Sequence, residues 1–237
     1  LGLVRTKFVA LLLGPAGVGL FGMYGAIVDL ATTIAGLGVS SSGVRQVAEA
    51  AGENDRGRIE VAASATRRLS LALGALGGVA LIALAGPVSR VTFGTESHAI
   101  AVMVLGAAVF LRCAAWGEGA LLQGLRRIPE LALTSVVGAL AATVGSIALV
   151  WWVGEAGIAP AIVFAAAASL VATLWFSRRV VSGAGTGGDT ARNALYSSLL
   201  GLGVVFMAGA LGQHVGAYVV RTAIFQELGA DAAGHYH

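Results

Sequence analysis

The sequence predicts an all-α polytopic membrane protein, a six-helix transmembrane bundle plus the start of a second, parallel-repeat bundle. Three observations predict it. Of 237 residues, 57% are hydrophobic and 11% charged, whereas an ordinary soluble domain carries about 25% charged side chains. That leaves too few charges to cover a water-facing surface. Apolar runs near 20 residues recur, each long enough to cross a hydrocarbon core about 30 Å thick. The runs are continuously apolar, without the alternation of a transmembrane barrel, so the spans are expected to be helices.

The elements follow in order. Residues 1–13 are too short to span and read as the end of a first helix, closed by a turn at Gly14-Pro15-Ala16-Gly17. Span two covers about Val18 to Gly38. Polar residues 40–68 follow, with GENDRGRIE as a loop and VRQVAEAA and IEVAASATRR as short amphipathic surface helices. Span three starts at Leu69 and ends or kinks near Gly86-Pro87. Spans four, five and six cover about His98 to Leu122, Leu131 to Trp152 and Ile158 to Phe176. The domain organisation is therefore a first bundle over 1–176, a linker over 177–194 rich in Ser, Gly and Thr, and the start of a second bundle over 195–237. The 35 glycines suit close helix packing in lipid.

Topology follows from the 15 basic residues, because cytoplasmic loops hold the excess. Arg45, Arg56, Arg58, Arg67, Arg68, Arg126, Arg127, Arg178, Arg179 and Arg192 occupy one set of alternate connections, and Arg90 alone occupies the other. Loops 42–68, 124–130 and 177–194 are thus expected in the cytoplasm. The net charge of +3 reads as topology and not as a nucleic-acid surface. No basic segment precedes a short apolar stretch at Leu1, which argues against a signal peptide, and the chain is expected to be a fragment.

An internal repeat supports that organisation. Leu13-Gly14-Pro15-Ala16-Gly17-Val18-Gly19-Leu20-Phe21 and Leu228-Gly229-Ala230-Asp231-Ala232-Ala233-Gly234-His235-Tyr236 both read L-G-x-x-x-x-G-x-aromatic. Six spans separate them, as a parallel repeat requires. The closing His235-Tyr236-His237 aligns with the first copy and calls for no metal.

Charges within spans are costly and therefore functional candidates. Arg112 shares a helix face with Trp116, Gly119 and Gln123, a cation, an aromatic edge and a carboxamide, as a sugar or phosphate pathway requires. Asp29, beside Thr32 and Thr33, is a candidate for binding a cation or proton, and equally for neutralising Arg112. Glu118 points about 240° round the helix from Arg112, so it is expected to be solvated near the cytoplasmic end and not paired with it. His214, Tyr218 and Arg221 share a face, and His214 is a coupling candidate because imidazole titrates near neutral pH. Thr134, Gly138, Ala142 and Gly145 read as helix-packing surface. Glu49, Glu53, Asp55 and Glu60 alternate with arginines and read as a solvated surface. Cys113 reads as a structural thiol. No hydrolase, metalloprotease, C-x-x-C or P-loop pattern is present, so neither catalysis nor a cofactor is expected.

The opening VRTKFVALLLGPAGVGLFGMYGAIVDLATTIAGLGVSSSGVRQVAEA, with ALLQGLRRI and ELGADAAGHY, resembles the O-antigen and polysaccharide flippase family of the multidrug, oligosaccharidyl-lipid and polysaccharide exporter superfamily. The L-G-P-x-G-x-G turn and the G-x-G-x-S-S-G-x-R-Q segment are its most specific parts. The resemblance implies two six-helix bundles around a central cavity, and movement of undecaprenyl-diphosphate-linked saccharides, such as O-antigen units of lipopolysaccharide, across the bacterial inner membrane. On that resemblance the chain is expected to end in its seventh span, with most of the second bundle outside it. On that reading Arg5, Lys7, Arg112, Trp116, Gln123, Tyr218 and Arg221 line the substrate cavity, and Asp29 or His214 couples transport to H+ or Na+. Expected partners are the lipid-linked oligosaccharide, membrane lipids and polysaccharide polymerase or assembly proteins, with no nucleic acid. The alternatives are a drug or ion antiporter of the same superfamily, with a less cationic cavity, a non-transport subunit of a polysaccharide assembly complex, and a membrane-embedded glycan-modifying enzyme. Against the last stands the lack of a loop with a catalytic carboxylate pair.

Overall fold

The computed structural model describes residues 2–179 and 189–236; the side chains of residues 1–6, 9, 180–194, 228, 230–232 and 234–237 are outside that description. The described residues form helices and turns, in the order α1 (Gly2–Gly36), α2 (Val39–Gly52), α3 (Arg56–Ala83), α4 (Ala85–Phe93), α5 (Ala99–Gly124), α6 (Ile128–Val153), a 3-10 turn (Gly154–Gly157), α7 (Ile158–Ser177) and α8 (Asp189–Tyr236). The stretches long and apolar enough to cross a membrane are Ala10–Gly36, Arg56–Ala83, Ala99–Gly124, Ile128–Ser177 and Leu195–Glu227. The fourth is the hairpin of α6 and α7. The protein is an all-α, multi-pass membrane protein.

The segments alternate between two ends. One carries Arg45, Arg56, Arg58, Arg126, Arg127, Arg178 and Arg179 and is called here the Arg-rich end; the other carries α4 and Arg90. Backbone chemistry sets the boundaries. The expected four-residue turn after Leu13 is a break at Gly14 alone (φ 71°, ψ −172°), after which Pro15 begins a new helical segment, where its fixed φ suits a first turn. Gly229 interrupts α8 with nearly the same angles (φ 85°, ψ 174°). Gly38 (φ 64°) turns the chain from α1 into α2, a conformation that glycine adopts without a Cβ penalty.

Two expected boundaries move. IEVAASATRR is not a separate surface helix but the first half of α3, which runs unbroken from Arg56. Asp55 caps it, accepting from the backbone N–H of Arg58 at 3.1 Å, and the small residues Ala62, Ala65 and Thr66 are buried. The break expected at Gly86-Pro87 falls earlier, at Leu84, and Pro87 sits in the first turn of α4, where no intrahelical N–H is lost. VRQVAEAA lies within α2 as expected, burying Val47 and Ala50 while Arg45, Ala48 and Glu49 are exposed. Most of the linker expected over 177–194 lies outside the described residues.

The core is concentrated toward the Arg90 end. Phe21, Met23, Tyr24 and Val28 of α1 pack there with Phe93, Leu105, Val109, Val150 and Ile158. At the Arg-rich end the corresponding cluster comprises Val47, Ala62 and Leu121.

Candidate functional site

Between α1, α5, α6, α7 and α8 lies a cavity of about 910 Å³. Small residues make room for it. On α1 its lining runs Gly22, Gly25, Asp29, Thr33 and Gly36, steps of three and four that keep to one helix face. On α5 the face is Arg112, Trp116, Gly119 and Gln123, the set the sequence places together. Thr134, Gly138 and Ala142 of α6 face Ala165, Ala166, Ser169 and Thr173 of α7, and α8 contributes Met207, Ala210, His214 and Arg221. Lining residues Ser41, Gln123 and Ser135 are exposed, so the mouth lies at the Arg-rich end; Phe21 and Gly22 are buried, and the apolar core closes the other.

Asp29 and Arg112 neutralise one another in mid-cavity. Arg112 Nη1 donates to Asp29 Oδ1 at 2.5 Å, and the two side chains are 36% and 32% exposed, so each retains open hydrogen-bonding capacity. The guanidinium carbon stands 5.8 Å from the Trp116 ring centroid, within cation–π range. Thr32 and Thr33 donate to backbone carbonyls one turn back, at 2.6 and 2.8 Å, so their hydroxyl hydrogens are engaged and only acceptor lone pairs remain. Arg221 lies deeper: it donates to the carbonyl of Gly22 at 3.2 Å, about 10 Å along α1 from Asp29 at 1.5 Å per residue. Among the described lining residues, Arg221 is the one charge not matched by an opposite charge.

Of the cations expected to line a lumen, Arg112 and Arg221 border this cavity. Lys7 is exposed on the first segment of α1 and does not border the cavity, because the break at Gly14 separates that segment from the lining face. The Arg5 side chain lies outside the described residues. Tyr218 turns to α4 instead, its hydroxyl 2.6 Å from that of Thr92; it is 60° round α8 from Arg221 at 100° per residue. Arg112, Trp116, Gln123, Arg221, Asp29 and His214 do border the cavity. Thr134, Gly138 and Ala142, expected as packing surface, border it as well, while Gly145 packs on Phe164.

Glu118 departs furthest from expectation. It is 4% exposed, accepts from Arg67 Nη2 at 2.8 Å and from Ser177 Oγ at 3.1 Å, and so ties α3, α5 and α7 together. Sequence spacing within α5 excluded Arg112 as its partner but held no information about Arg67, 51 residues away. The small-residue face of α1 was also missed, although the steps Gly22, Gly25, Asp29, Thr33, Gly36 are readable in the chain.

A search of curated protein sequences gives no match. The fold matches a multidrug resistance MATE family transporter of the MOP superfamily, solved in an inward-facing conformation, with a TM-score of 0.78 and 16% sequence identity over 98% of this chain and 55% of that one. The chain thus spans about half the length of that transporter. The model of the family described as polysaccharide biosynthesis protein matches residues 1–237, and the chain belongs to that family.

Proposed function

We propose that the chain is part of a flippase that moves undecaprenyl-diphosphate-linked oligosaccharide, an O-antigen or other surface polysaccharide unit, across the bacterial inner membrane. The observation that carries the reading is the cavity, which holds polar groups (Asp29, Arg112, Gln123, His214 and Arg221) among small apolar residues, in a member of a polysaccharide biosynthesis family. A diphosphate and a glycan cannot enter hydrocarbon unaided. Arg221 offers charge-assisted hydrogen bonds to the diphosphate, and the hydroxyls and carboxamide nearer the mouth replace water around the saccharide while the lipid tail stays in the bilayer.

On this reading the Arg-rich end is cytoplasmic and substrate enters there, leaving after the two bundles rock against each other. The second bundle begins near residue 195, and the matching backbone angles of Gly14 and Gly229 support a parallel repeat. Asp29 and His214 are the groups that can carry an H+ or Na+ dependence. Membrane lipids and polysaccharide polymerase or assembly proteins are the remaining partners of this reading.

Restoring the full-length protein in cells that lack their own flippase should restore surface polysaccharide, and Arg221→Ala should cut it about tenfold, the value of one charge-assisted contact. Wild-type export by Arg221→Ala removes the anion role. The neutralised Asp29–Arg112 pair favours one second reading, a drug or ion antiporter with a less cationic cavity. Altered drug susceptibility with no change in surface polysaccharide would select it.

A further inference from the structure

We propose that Trp116, Asp29 and Arg112 form a subsite for a neutral pyranose ring, distinct from the anion position at Arg221. The ligand class rests on the flippase reading; the subsite itself rests on the geometry of these side chains.

Trp116 is 39% exposed and borders the cavity. One helical turn on, Gly119 has no atom within 4 Å of where a Cβ would stand, and one turn before Asp29 the same holds for Gly25. Both glycines border the cavity, so open space lies beside the indole and beside the ion pair. A pyranose has an apolar face of C–H bonds and an edge of hydroxyls. The indole supplies a large flat surface for the first. Asp29 and Arg112 supply the second: a carboxylate accepts from one hydroxyl of a vicinal pair, while a guanidinium, with five N–H donors of which Asp29 takes one, donates to its neighbour.

The same pair disfavours an anion. A phosphate brought to Arg112 meets the Asp29 carboxylate at its side, whereas Arg221 carries no such neighbour among the described residues. Gln123, about 16 Å from Arg112 toward the mouth at 1.5 Å per residue, extends the polar path for further sugar units.

The test is saturation-transfer NMR on the full-length protein in lipid nanodiscs, with glucose, galactose and N-acetylglucosamine as probes and inorganic pyrophosphate as competitor. Transfer to the ring protons of at least one sugar should fall about fivefold, the worth of one aromatic contact, in Trp116→Leu and Gly119→Val. Trp116→Phe should recover part of it. Gly119→Val adds bulk where there is room, so it keeps the test valid if Trp116→Leu fails to fold. Transfer should persist in Arg221→Ala and in millimolar pyrophosphate. No transfer to any of the sugars, unchanged transfer in Gly119→Val, or displacement of sugar by pyrophosphate in Arg221→Ala would overturn the subsite. Sugar binding that needs Trp116 in a protein without export activity upholds the subsite and removes the flippase reading; export without any sugar transfer does the reverse.

Discussion

The two ends of the bundle are held by different means. Toward the Arg90 end large side chains interlock: Phe93 meets Tyr24 and Phe225 edge to face at 5.7 and 5.3 Å between centroids, and Tyr218 and Gln226 of α8 bond to Thr92 and to the carbonyl of Val91. At the Arg-rich end α8 meets the turn after α1 backbone to backbone, at Gly38 and Gly203, and Ser42 Oγ donates to the carbonyl of Leu199 at 2.9 Å. Interlocked aromatics exclude water and close one end. Small residues leave the space that is the cavity, so the open end relies on close backbone approach and on the buried Glu118 carboxylate shared by Arg67 and Ser177. Adding a Cβ should therefore do most harm where the side chains are smallest.

The strongest way to break that comparison is Gly38→Ala. The residue sits at φ 64°, and a Cβ there would run into the carbonyl oxygen of Gly203. Strain and overpacking together should cost roughly 3 kcal/mol, read as a lowered melting temperature in detergent. Gly119→Ala, inside α5 with nothing nearby, should cost nothing and gain up to about 1 kcal/mol of helix propensity. Equal effects at the two sites would mean that backbone approach does not hold the Arg-rich end.

Glu118→Ala comes next. It strips the shared acceptor from Arg67 and Ser177. Losing one partner of a fully buried pair costs about 3–5 kcal/mol, but the Arg67 side chain is 49% exposed and reaches water, which lowers the expected loss to about 2 kcal/mol. Glu118→Gln, which keeps an acceptor for Ser177, should lose less. A loss under about 0.5 kcal/mol for Glu118→Ala, the level of an ordinary surface change, would show that packing alone joins α3, α5 and α7.

Glu118 also marks where sequence reading stops. Long apolar runs pointed to the helices long and apolar enough to cross a membrane, because hydrocarbon thickness fixes the length of a span, and the face of Arg112, Trp116 and Gln123 was legible because a single helix fixes it. Contacts between helices were not legible. Whether Arg112 met Asp29, 83 residues away, was left open, and Glu118 was assigned to solvent because its partner lies on α3. Tyr218 had the spacing of a lining residue, yet 60° of rotation at 100° per residue turns it to α4. Lys7 was placed in the cavity for its charge within an apolar run; the turn at Gly14 was legible, but not the direction in which it sends the segment that carries Lys7.

The smallest effect sharpens the comparison at the closed end. Tyr24 Oη lies 2.9 Å from His98 Nδ1, and the imidazole stacks on Phe93 with 4.3 Å between centroids. Tyr24→Phe should cost about 1 kcal/mol, the net worth of one hydrogen bond. Burial among these rings lowers the pKa of His98 from its ordinary value of 6.5, and the opposing pull of the Glu155 carboxylate is the lesser influence. The folded protein therefore holds this proton less tightly than the unfolded chain. The stabilisation is complete above pH 6.5 and is lost as pH falls through the lower folded value. Melting temperature should accordingly decline as pH falls below 6.5 in the wild type and less steeply in His98→Gln. Limited proteolysis should locate the change at α4, since Phe93, Thr92 and the carbonyl of Val91 are what the ring, Tyr218 and Gln226 hold there. A decline of equal slope in His98→Gln would assign the acid sensitivity to other groups and leave the closed end held by its aromatic packing and the bonds of Tyr218 and Gln226.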